Sequence, residues 1–257
     1  MLSQILLATI VAGLISVFAA AALSMGLLSR VIPHLVSLSA GILLGTALLH
    51  LIPESLELGL DKHAFGWVFL AGLIGFFALE KLAILRHSHH HEGDGHDHHH
   101  GHDHHEAGPG GLLILVCDAL HNFTDGLMIA AAFLVDAKLG WLTALTIATH
   151  EIPQEIGDFI VLLNAGYSKK RAIVFNSLAS LAAVVGGVLG YVALQAGREW
   201  LPSVIALAAA SFVYIALADL VPDMQRQRKT PASILQFALM GLGILMIALL
   251  TQGMHQH

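Results

Sequence analysis

Side chains that bind metal ions occur in the middle of two apolar stretches of this chain. The first stretch contains His121 to Gly126 (HNFTDG), and the second contains His150 to Asp158 (HEIPQEIGD). An ionisable group at mid-membrane depth is costly unless it has a partner, an ion or a water-filled path. Imidazole nitrogens together with carboxylate and amide oxygens suit a divalent transition metal. The two motifs therefore predict a metal site inside a membrane.

Helical spacing places the polar side chains of each motif on a common face. Residues four apart are neighbours on a helix, and this spacing relates His121 to Asp125, His150 to Gln154 and Glu151 to Glu155. Two facing helices would then offer two imidazoles, several carboxylates and an amide to one ion or to two. The candidate metal ligands are His121, Asn122, Asp125, His150, Glu151, Gln154 and Glu155.

Pro153 interrupts the second motif. Proline has no N–H, so it frees the carbonyl of Thr149 one turn earlier. Such a break is tolerated in a membrane where it lines a cavity or is buried in protein. Gly126 and Gly157 are predicted to leave room for neighbouring helices to approach closely.

The composition predicts the helices that must hold these motifs. The chain has 257 residues, of which 56% are hydrophobic and 12% charged, with a mean hydropathy of +0.75. Soluble domains carry about 25% charged residues, whereas apolar segments longer than about 18 residues recur here and can each cross a bilayer. We predict an all-α membrane protein with one transmembrane domain over 1–257. Its eight spans are 4–28, 35–57, 64–85, 110–135, 140–165, 171–195, 201–222 and 232–252.

The positive charges predict an orientation. With eight spans, nine of the 12 Lys and Arg residues fall in loops on one side, and the other three are Lys62, Lys138 and Arg198. Loops rich in Lys and Arg stay in the cytoplasm. Both termini are therefore expected outside, and the protein is expected in the cytoplasmic (inner) membrane.

A histidine-rich loop is predicted between the third and fourth spans, over residues 87–109. Its composition is typical of metal-binding segments that cannot form a core. The charge count places it in the cytoplasm, where it would capture or sense metal without being the transport site; an inert polar linker is the alternative. The candidate ligands in the loop are His89, His90, His91, His96, His98, His99, His100, His102, His104 and His105.

An internal repeat relates the second span to the seventh. Residues 47–54 read ALLHLIPE and residues 216–223 read ALADLVPD. The two spans run in opposite directions, and inverted repeats are a recurring feature of transporters that alternate access around a central site. The polar residues of the repeat, and three others in the motif helices and the sixth span, are predicted to line the ion pathway. These candidates are His50, Glu54, Asp118, Asp158, Asn176, Asp219 and Asp223.

The motifs resemble those of the ZIP (Zrt- and Irt-like) family of divalent metal transporters. HNFTDG is similar to that family's HNxxDG pattern, and HEIPQEIGD is similar to the HExPHExGD signature of its zinc-transporting branch. The resemblance implies a homodimer with a three-plus-two-plus-three arrangement of spans. It also implies two adjacent metal sites, formed by His121, Asn122, Asp125, His150, Glu151 and Gln154.

The implied activity is not enzymatic. It is uptake of Zn²⁺ toward the cytoplasm, with Fe²⁺, Mn²⁺ and Cd²⁺ as alternative substrates, and it needs no organic cofactor. The expected partners are divalent ions and the lipid bilayer, and no nucleic acid. Gln154 departs from the signature, which has His or Glu there, so weaker binding at one of the two sites is expected.

Three other functions remain open from the sequence. A cation-diffusion exporter also uses H-x-x-x-D pairs, but such exporters resemble six-span proteins. An intramembrane zinc protease would use His150 and Glu151, yet its H-E-x-x-H motif needs a second His at position 154. A membrane metal sensor would bind zinc and move none across the membrane.

Overall fold

The computed structural model describes residues 1–22, 25–88, 107–164, 166–225 and 230–252. These residues form helices and short turns without a strand, which confirms the all-α prediction. The α-helices are α1 (Leu2–Ala22), α2 (Met25–Thr46), α3 (Ile52–Glu57), α4 (Lys62–Ser88), α5 (Ala107–Val135), α6 (Ala137–Asn164), α7 (Lys169–Ser180), α8 (Ala182–Ala196), α9 (Leu201–Ile215), α10 (Val221–Gln225) and α11 (Thr230–Gln252).

Six helical stretches among the described residues are long and apolar enough to cross a membrane, which supports the prediction of an integral membrane protein. They are Leu2–Ala19, Val31–Glu57, Lys62–Leu79, Lys169–Ala196, Arg198–Gln225 and Ser233–Thr251. Helices α5 and α6, with 29 and 28 residues, are long enough as well, but they carry the polar motifs, which lower their mean hydropathy. The count of eight spans therefore stays a prediction.

Two helix limits differ from the limits of the predicted spans. Helix α2 contains residues 25–28, which fall in the predicted first span, and it begins ten residues before the predicted start of the second span. This limit lies inside a continuous apolar run, so hydropathy carries no signal for it. The predicted sixth span corresponds to one apolar stretch, Lys169–Ala196, which contains two helices because α7 ends at Ser180 and α8 begins at Ala182. Ser168 caps the start of α7, accepting a hydrogen bond from the backbone N–H of Arg171.

The predicted histidine-rich loop falls mostly outside the described residues. Helix α4 continues to Ser88 and α5 begins at Ala107, so both helices extend into the predicted loop at its ends. All ten histidines proposed to capture metal, His89 to His105, lie in the undescribed part between them.

Both copies of the internal repeat contain a π turn. Ala47–Leu51 and Ala216–Leu220 are π-helical, and each is followed by a short α-helix whose second residue is Pro53 or Pro222. Proline donates no hydrogen bond and its ring clashes with the carbonyl four residues earlier. The wider π turn is a local adjustment to such a break, and turns of this kind occur often at functional sites.

The helix packing follows the same repeat. Helix α1 packs on α6 as α8 packs on α5, and α2 packs on α11 as α9 packs on α4. Each π turn also contacts the main helix of the other copy, the first on α9 and the second on α2. An inverted repeat that relates the first three spans to the last three would produce this pairing. The helices thus form one group of α1, α5, α6, α7 and α8 and a second group of α2, α4, α9 and α11.

Glycine allows α5 and α8 to touch through their backbones. A Cβ atom on Gly126 would overlap the carbonyl of Ala183, and one on Gly186 would overlap the carbonyl of Phe123. The predicted role of Gly126 is thereby confirmed. The same prediction for Gly157 is wrong within the described part of the chain, where a Cβ on Gly157 would meet no neighbouring helix within 4 Å.

Candidate metal centre

The two motifs meet because α5 and α6 are consecutive helices packed side by side. Asp136 separates them, and its carboxylate accepts hydrogen bonds from the backbone N–H groups of Lys138 (2.8 Å) and Leu139 (3.3 Å). This is the pattern of a helix N-cap, which fixes where α6 begins. Edge-to-face contact between Phe133 and Trp141 joins the two helices at the same end.

Four of the predicted ligands form one cluster between these helices. His121 and Asp125 come from α5, and His150 and Glu151 come from α6; each offers a ligand atom, and these atoms all lie within 4.8 Å of one another. The two imidazole Nε2 atoms are 3.4 Å apart. His121 Nε2 lies 3.6 Å from Asp125 Oδ2 and 3.7 Å from Glu151 Oε1, and His150 Nε2 lies 3.4 Å from Asp125 Oδ2.

These separations fit the coordination shell of a small divalent ion. Zinc binds imidazole nitrogen and carboxylate oxygen at about 2.0–2.2 Å in a tetrahedral arrangement, which sets its ligand atoms about 3.3–3.6 Å apart. Four of the six separations among the ligand atoms, 3.4 to 3.7 Å, are close to that spacing, and all six are within 4.8 Å. The cluster could therefore hold Zn²⁺ with little movement of its side chains.

Burial leaves the carboxylates of the cluster in need of a cation. Asp125, His150 and Glu151 are each 1% exposed, while the His121 side chain is 19% exposed. Among the described residues, no hydrogen bond reaches either carboxylate oxygen of Asp125 or of Glu151. A buried carboxylate without a hydrogen bond is costly unless a charge or a metal compensates it. The cluster has the features expected of a cation site.

One imidazole is held in the tautomer that binds metal. His150 Nδ1 lies 3.3 Å from the backbone carbonyl of Thr146. A carbonyl only accepts, so Nδ1 carries the proton in this contact and the lone pair of Nε2 faces the cluster. An outer partner of this kind is the usual way in which a metal-binding histidine is oriented. Sequence reasoning missed Thr146, although its position four residues before His150 was a signal for it.

The two amide ligands proposed from the sequence contact a third carboxylate. Asn122 Nδ2 donates to Asp118 Oδ1 at 2.9 Å and to the carbonyl of Asp118 at 3.1 Å. Gln154 Nε2 donates to the same Oδ1 at 3.4 Å. Asp118, predicted to line the pathway, thus lies beside both amides and joins α5 to α6.

Glu155 lies apart from the four-residue cluster. Its Oε1 accepts a 2.7 Å hydrogen bond from Ser180 of α7, and its backbone carbonyl accepts one from Asn176 Nδ2 at 3.3 Å. Glu155, Asn176 and Ser180 are all buried. These bonds tie α6 to α7, and Ser180 was not foreseen from the sequence. Asp158, the next residue of the predicted pathway on α6, is half-buried.

The pathway residues of the repeat lie in other helices. His50 is buried in the first π turn, and Glu54 is half-buried in α3. Asp219 in the second π turn and Asp223 in α10 are exposed. None of the four belongs to the ligand cluster. All four have polar or electrostatic contacts of their own.

The carbonyl freed by Pro153 has a partner from the other helix group. Ser39 Oγ of α2 donates to the Thr149 carbonyl at 2.6 Å. A second contact between α2 and α6 joins the hydroxyls of Thr46 and Thr146 at 2.9 Å. The sequence identified the free carbonyl, but no local pattern indicated which residue would reach it.

The sequence matches a described family over nearly its whole length. The family model is the ZIP zinc transporter, and its matches cover residues 1–110 and 81–251. The chain is 42% identical over 120 residues to the metal cation symporter ZIP8 of Rattus norvegicus, a region that is 46% of this chain and 25% of that protein.

Two further relatives have similar names. The zinc transporter ZIP10 of Danio rerio is 42% identical over 112 residues, 44% of this chain and 13% of its own length. The zinc transporter ZIP13 of Pongo abelii is 32% identical over 235 residues, 84% of this chain and 66% of its own length. The chain thus spans between an eighth and two thirds of these three relatives.

Proposed function

Because this chain belongs to the ZIP zinc transporter family, we propose that it moves divalent metal ions across a membrane. The ion binds at the cluster of His121, Asp125, His150 and Glu151. The observation that carries the proposal is the convergence of four ligand atoms from two helices, all within 4.8 Å of one another. The chain is a transporter and not an enzyme.

Zn²⁺ is the proposed main substrate. Two imidazoles and two carboxylates match the ligand preference of zinc, while the same donors also accept Fe²⁺, Mn²⁺ and Cd²⁺. Asn122 and Gln154 supply further oxygens beside the cluster. A second ion there would be held less strongly than with a charged or imidazole side chain at position 154, because an amide is neutral.

The proposed direction is toward the cytoplasm of a cell whose inner membrane holds the protein. The distribution of Lys and Arg supports an orientation with both termini outside. In that orientation His50 and Glu54 line the outer approach to the cluster. Asp118 and Asp158 lie on its inner side, with Asn176 and Glu155 nearby. Asp219 and Asp223 line the inner exit. The histidines between α4 and α5 capture metal in the cytoplasm.

Alternating access is the proposed mode of transport. The repeat, with its two π turns and its paired helix contacts, supports this choice over a fixed channel. A homodimer is proposed from the family resemblance.

The rival functions find less support. A zinc protease needs a ligand at position 154, where the Gln154 amide donates to Asp118. The exporter class has six spans, whereas here α5 and α6, with 29 and 28 residues, add two long helices to the six apolar stretches. A sensor would use the same cluster, so only a flux measurement separates it from a transporter.

Zinc uptake into proteoliposomes tests the proposal. The wild type should accumulate Zn²⁺ above protein-free vesicles, and Glu151→Gln should abolish that uptake because it removes one of two buried carboxylates at the cluster. Glu57→Gln, at the exposed end of α3, is the matched control and should transport normally. Binding of zinc by the wild type without any flux would instead identify a sensor.

A further inference from the structure

A third carboxylate lies one helical turn from the ligand cluster and contacts two of its neighbours. Asp118 is 3% exposed and precedes Asn122 by four residues on α5. Its Oδ1 accepts hydrogen bonds from Asn122 Nδ2 at 2.9 Å and from Gln154 Nε2 at 3.4 Å. One carboxylate oxygen of Asp118 therefore holds an amide from each of the two motif helices.

The contacts of Asn122 fix the orientation of its amide. Its Nδ2 has two hydrogens, and the two acceptors within reach are the side chain and the carbonyl of Asp118. With its N–H₂ group held by Asp118, Asn122 keeps its amide oxygen available to an ion. Asp118 is four residues before Asn122 on α5 and Asp125 is three residues after it, so Asn122 lies on the helix face that carries both carboxylates.

Gln154 occupies the equivalent place on α6. It follows His150 by four residues and Glu151 by three, so it shares their helix face. Its amide nitrogen is drawn to Asp118, which leaves its oxygen free to turn toward the cluster. Both amides thus contact the Asp118 carboxylate and share helix faces with the four ligand residues.

We propose that Asp118 is a positioning residue, which orients the amides of Asn122 and Gln154 so that their oxygens face the ion held by His121, Asp125, His150 and Glu151. This inference rests on the proposed function, since it assumes that the cluster binds a metal ion. Without the acceptor at position 118, each amide can rotate and present its N–H₂ group to the cation, which repels it. Outer partners of ligands commonly change metal affinity by about 10- to 100-fold.

The test compares two substitutions at position 118. Asp118→Asn keeps a side-chain oxygen that can accept from both amides, whereas Asp118→Ala removes it. Binding of Co²⁺ to the purified full chain in detergent is measured by titration and by visible absorption. Co²⁺ absorbs far more weakly with six ligands than with four, so the spectrum reports the loss of amide oxygens as well as the affinity.

We expect Asp118→Ala to weaken Co²⁺ binding by at least about tenfold and to increase the absorption per bound ion. Asp118→Asn should recover most of the affinity and the weak spectrum of the wild type. An unchanged affinity and spectrum in Asp118→Ala would overturn the inference. Equal loss in both variants would overturn it too, because the charge of Asp118, and not its acceptor oxygen, would then be what binds the ion.

A further comparison distinguishes the positioning role from a folding defect in Asp118→Ala, by adding this substitution to protein that already lacks both amides. If Asp118 acts through the two amides, Asp118→Ala should have little further effect in protein that already carries Asn122→Ala and Gln154→Ala. A full additional loss in that background would contradict the positioning role. Zinc uptake by the same wild-type preparation is measured alongside: absent uptake would count against the proposed function, while the binding series would still decide the role of Asp118.

Discussion

The chemistry of the cluster depends on two imidazoles that must be neutral to bind a metal ion. His121 Nε2 and His150 Nε2 lie 3.4 Å apart, so two protonated rings would repel each other and could not share a cation. The Thr146 carbonyl keeps the proton of His150 on Nδ1, which leaves Nε2 as a ligand. Protons and metal ions therefore compete for the same two nitrogen atoms.

This competition predicts the pH dependence of zinc uptake. Imidazole groups become charged as the pH falls from roughly 8 to 5, and metal binding releases protons. Uptake at a fixed, subsaturating Zn²⁺ concentration should therefore fall as both faces of the vesicle are acidified together, and raising Zn²⁺ should restore it. Uptake that rises steadily with acid under these symmetrical conditions would contradict the competition.

The residue types and spacing predicted most of this site, but not all of it. The motifs identified His121, Asp125, His150 and Glu151, because ligand side chains at helical spacing in an apolar helix have few other uses. They could not separate those four from Glu155, which has the same spacing from Glu151 but is bonded to Ser180 of α7. That distinction depends on which helix lies opposite each turn, and the local sequence does not contain it.

Among the helices, the hydrogen bond that Pro153 cannot donate within α6 is replaced by one from α2. Ser39 Oγ reaches the Thr149 carbonyl at 2.6 Å, one residue before His150. Because Pro153 has no N–H, this carbonyl lacks its usual partner within the helix. Ser39 thereby stabilises the turn that carries His150 and Glu151.

Removing this hydroxyl should therefore cost stability. We expect Ser39→Ala to lower the free energy of unfolding in detergent by about 1 kcal/mol, since it leaves a partly buried carbonyl unsatisfied. Ser37→Ala is the matched control, because Ser37 is also buried and its hydroxyl donates to the Pro33 carbonyl of its own helix at 2.8 Å. The backbone N–H of residue 37 can still donate to that carbonyl when the hydroxyl is removed. An equal loss of unfolding free energy in the two variants would show that the hydrogen bond from Ser39 to the Thr149 carbonyl does not stabilise the protein more than an ordinary serine hydroxyl does.

The contact between α5 and α8 gives a second prediction at this scale. A Cβ on Gly126 would overlap the Ala183 carbonyl, and backbone cannot move aside as a side chain can. Gly126→Ala should therefore lower the free energy of unfolding by about 1–3 kcal/mol. Gly157→Ala, where a Cβ meets nothing within 4 Å, should be neutral or slightly stabilising because alanine favours helix. A tolerated Gly126→Ala would mean that α5 and α8 are not in backbone contact.

The helices themselves were partly predictable. Apolar length predicted the long helices, since a bilayer demands about 20 apolar residues. The helix ends were less predictable, because α1 ends and α2 begins within one apolar run. Hydropathy does not mark the break at Leu181 between α7 and α8 either. The π turns were not predicted from the sequence, although a proline, Pro53 or Pro222, lies two residues after each and its missing N–H acts locally.

Across the whole molecule, alternating access requires that the two helix groups move against each other. Helices α2 and α6 belong to different groups, and the hydroxyls of Thr46 and Thr146 join them at 2.9 Å. A disulfide at this point would fix the groups in one arrangement. Alternating access would then stop, whereas conduction through a fixed channel would continue.

A pair of cysteines tests this requirement. In a Cys117→Ser background, oxidised Thr46→Cys/Thr146→Cys protein should lose zinc uptake and regain it on reduction. The control pair is Gly45→Cys/Ile247→Cys, which joins α2 and α11 within one helix group. A Cβ on Gly45 would lie 3.2 Å from the Cβ of Ile247. Oxidation of this pair should leave uptake unchanged. Uptake that survives the Thr46–Thr146 crosslink would favour a channel.

Metal is proposed to cross the membrane through the cluster between α5 and α6, and not by way of the histidine-rich tract. Zinc uptake into proteoliposomes tests this route, using the wild type, His121→Ala and a chain lacking residues 89–106. We expect His121→Ala to lose uptake and the deletion to retain most of it. Normal uptake by His121→Ala, or uptake abolished by the deletion alone, would contradict this route.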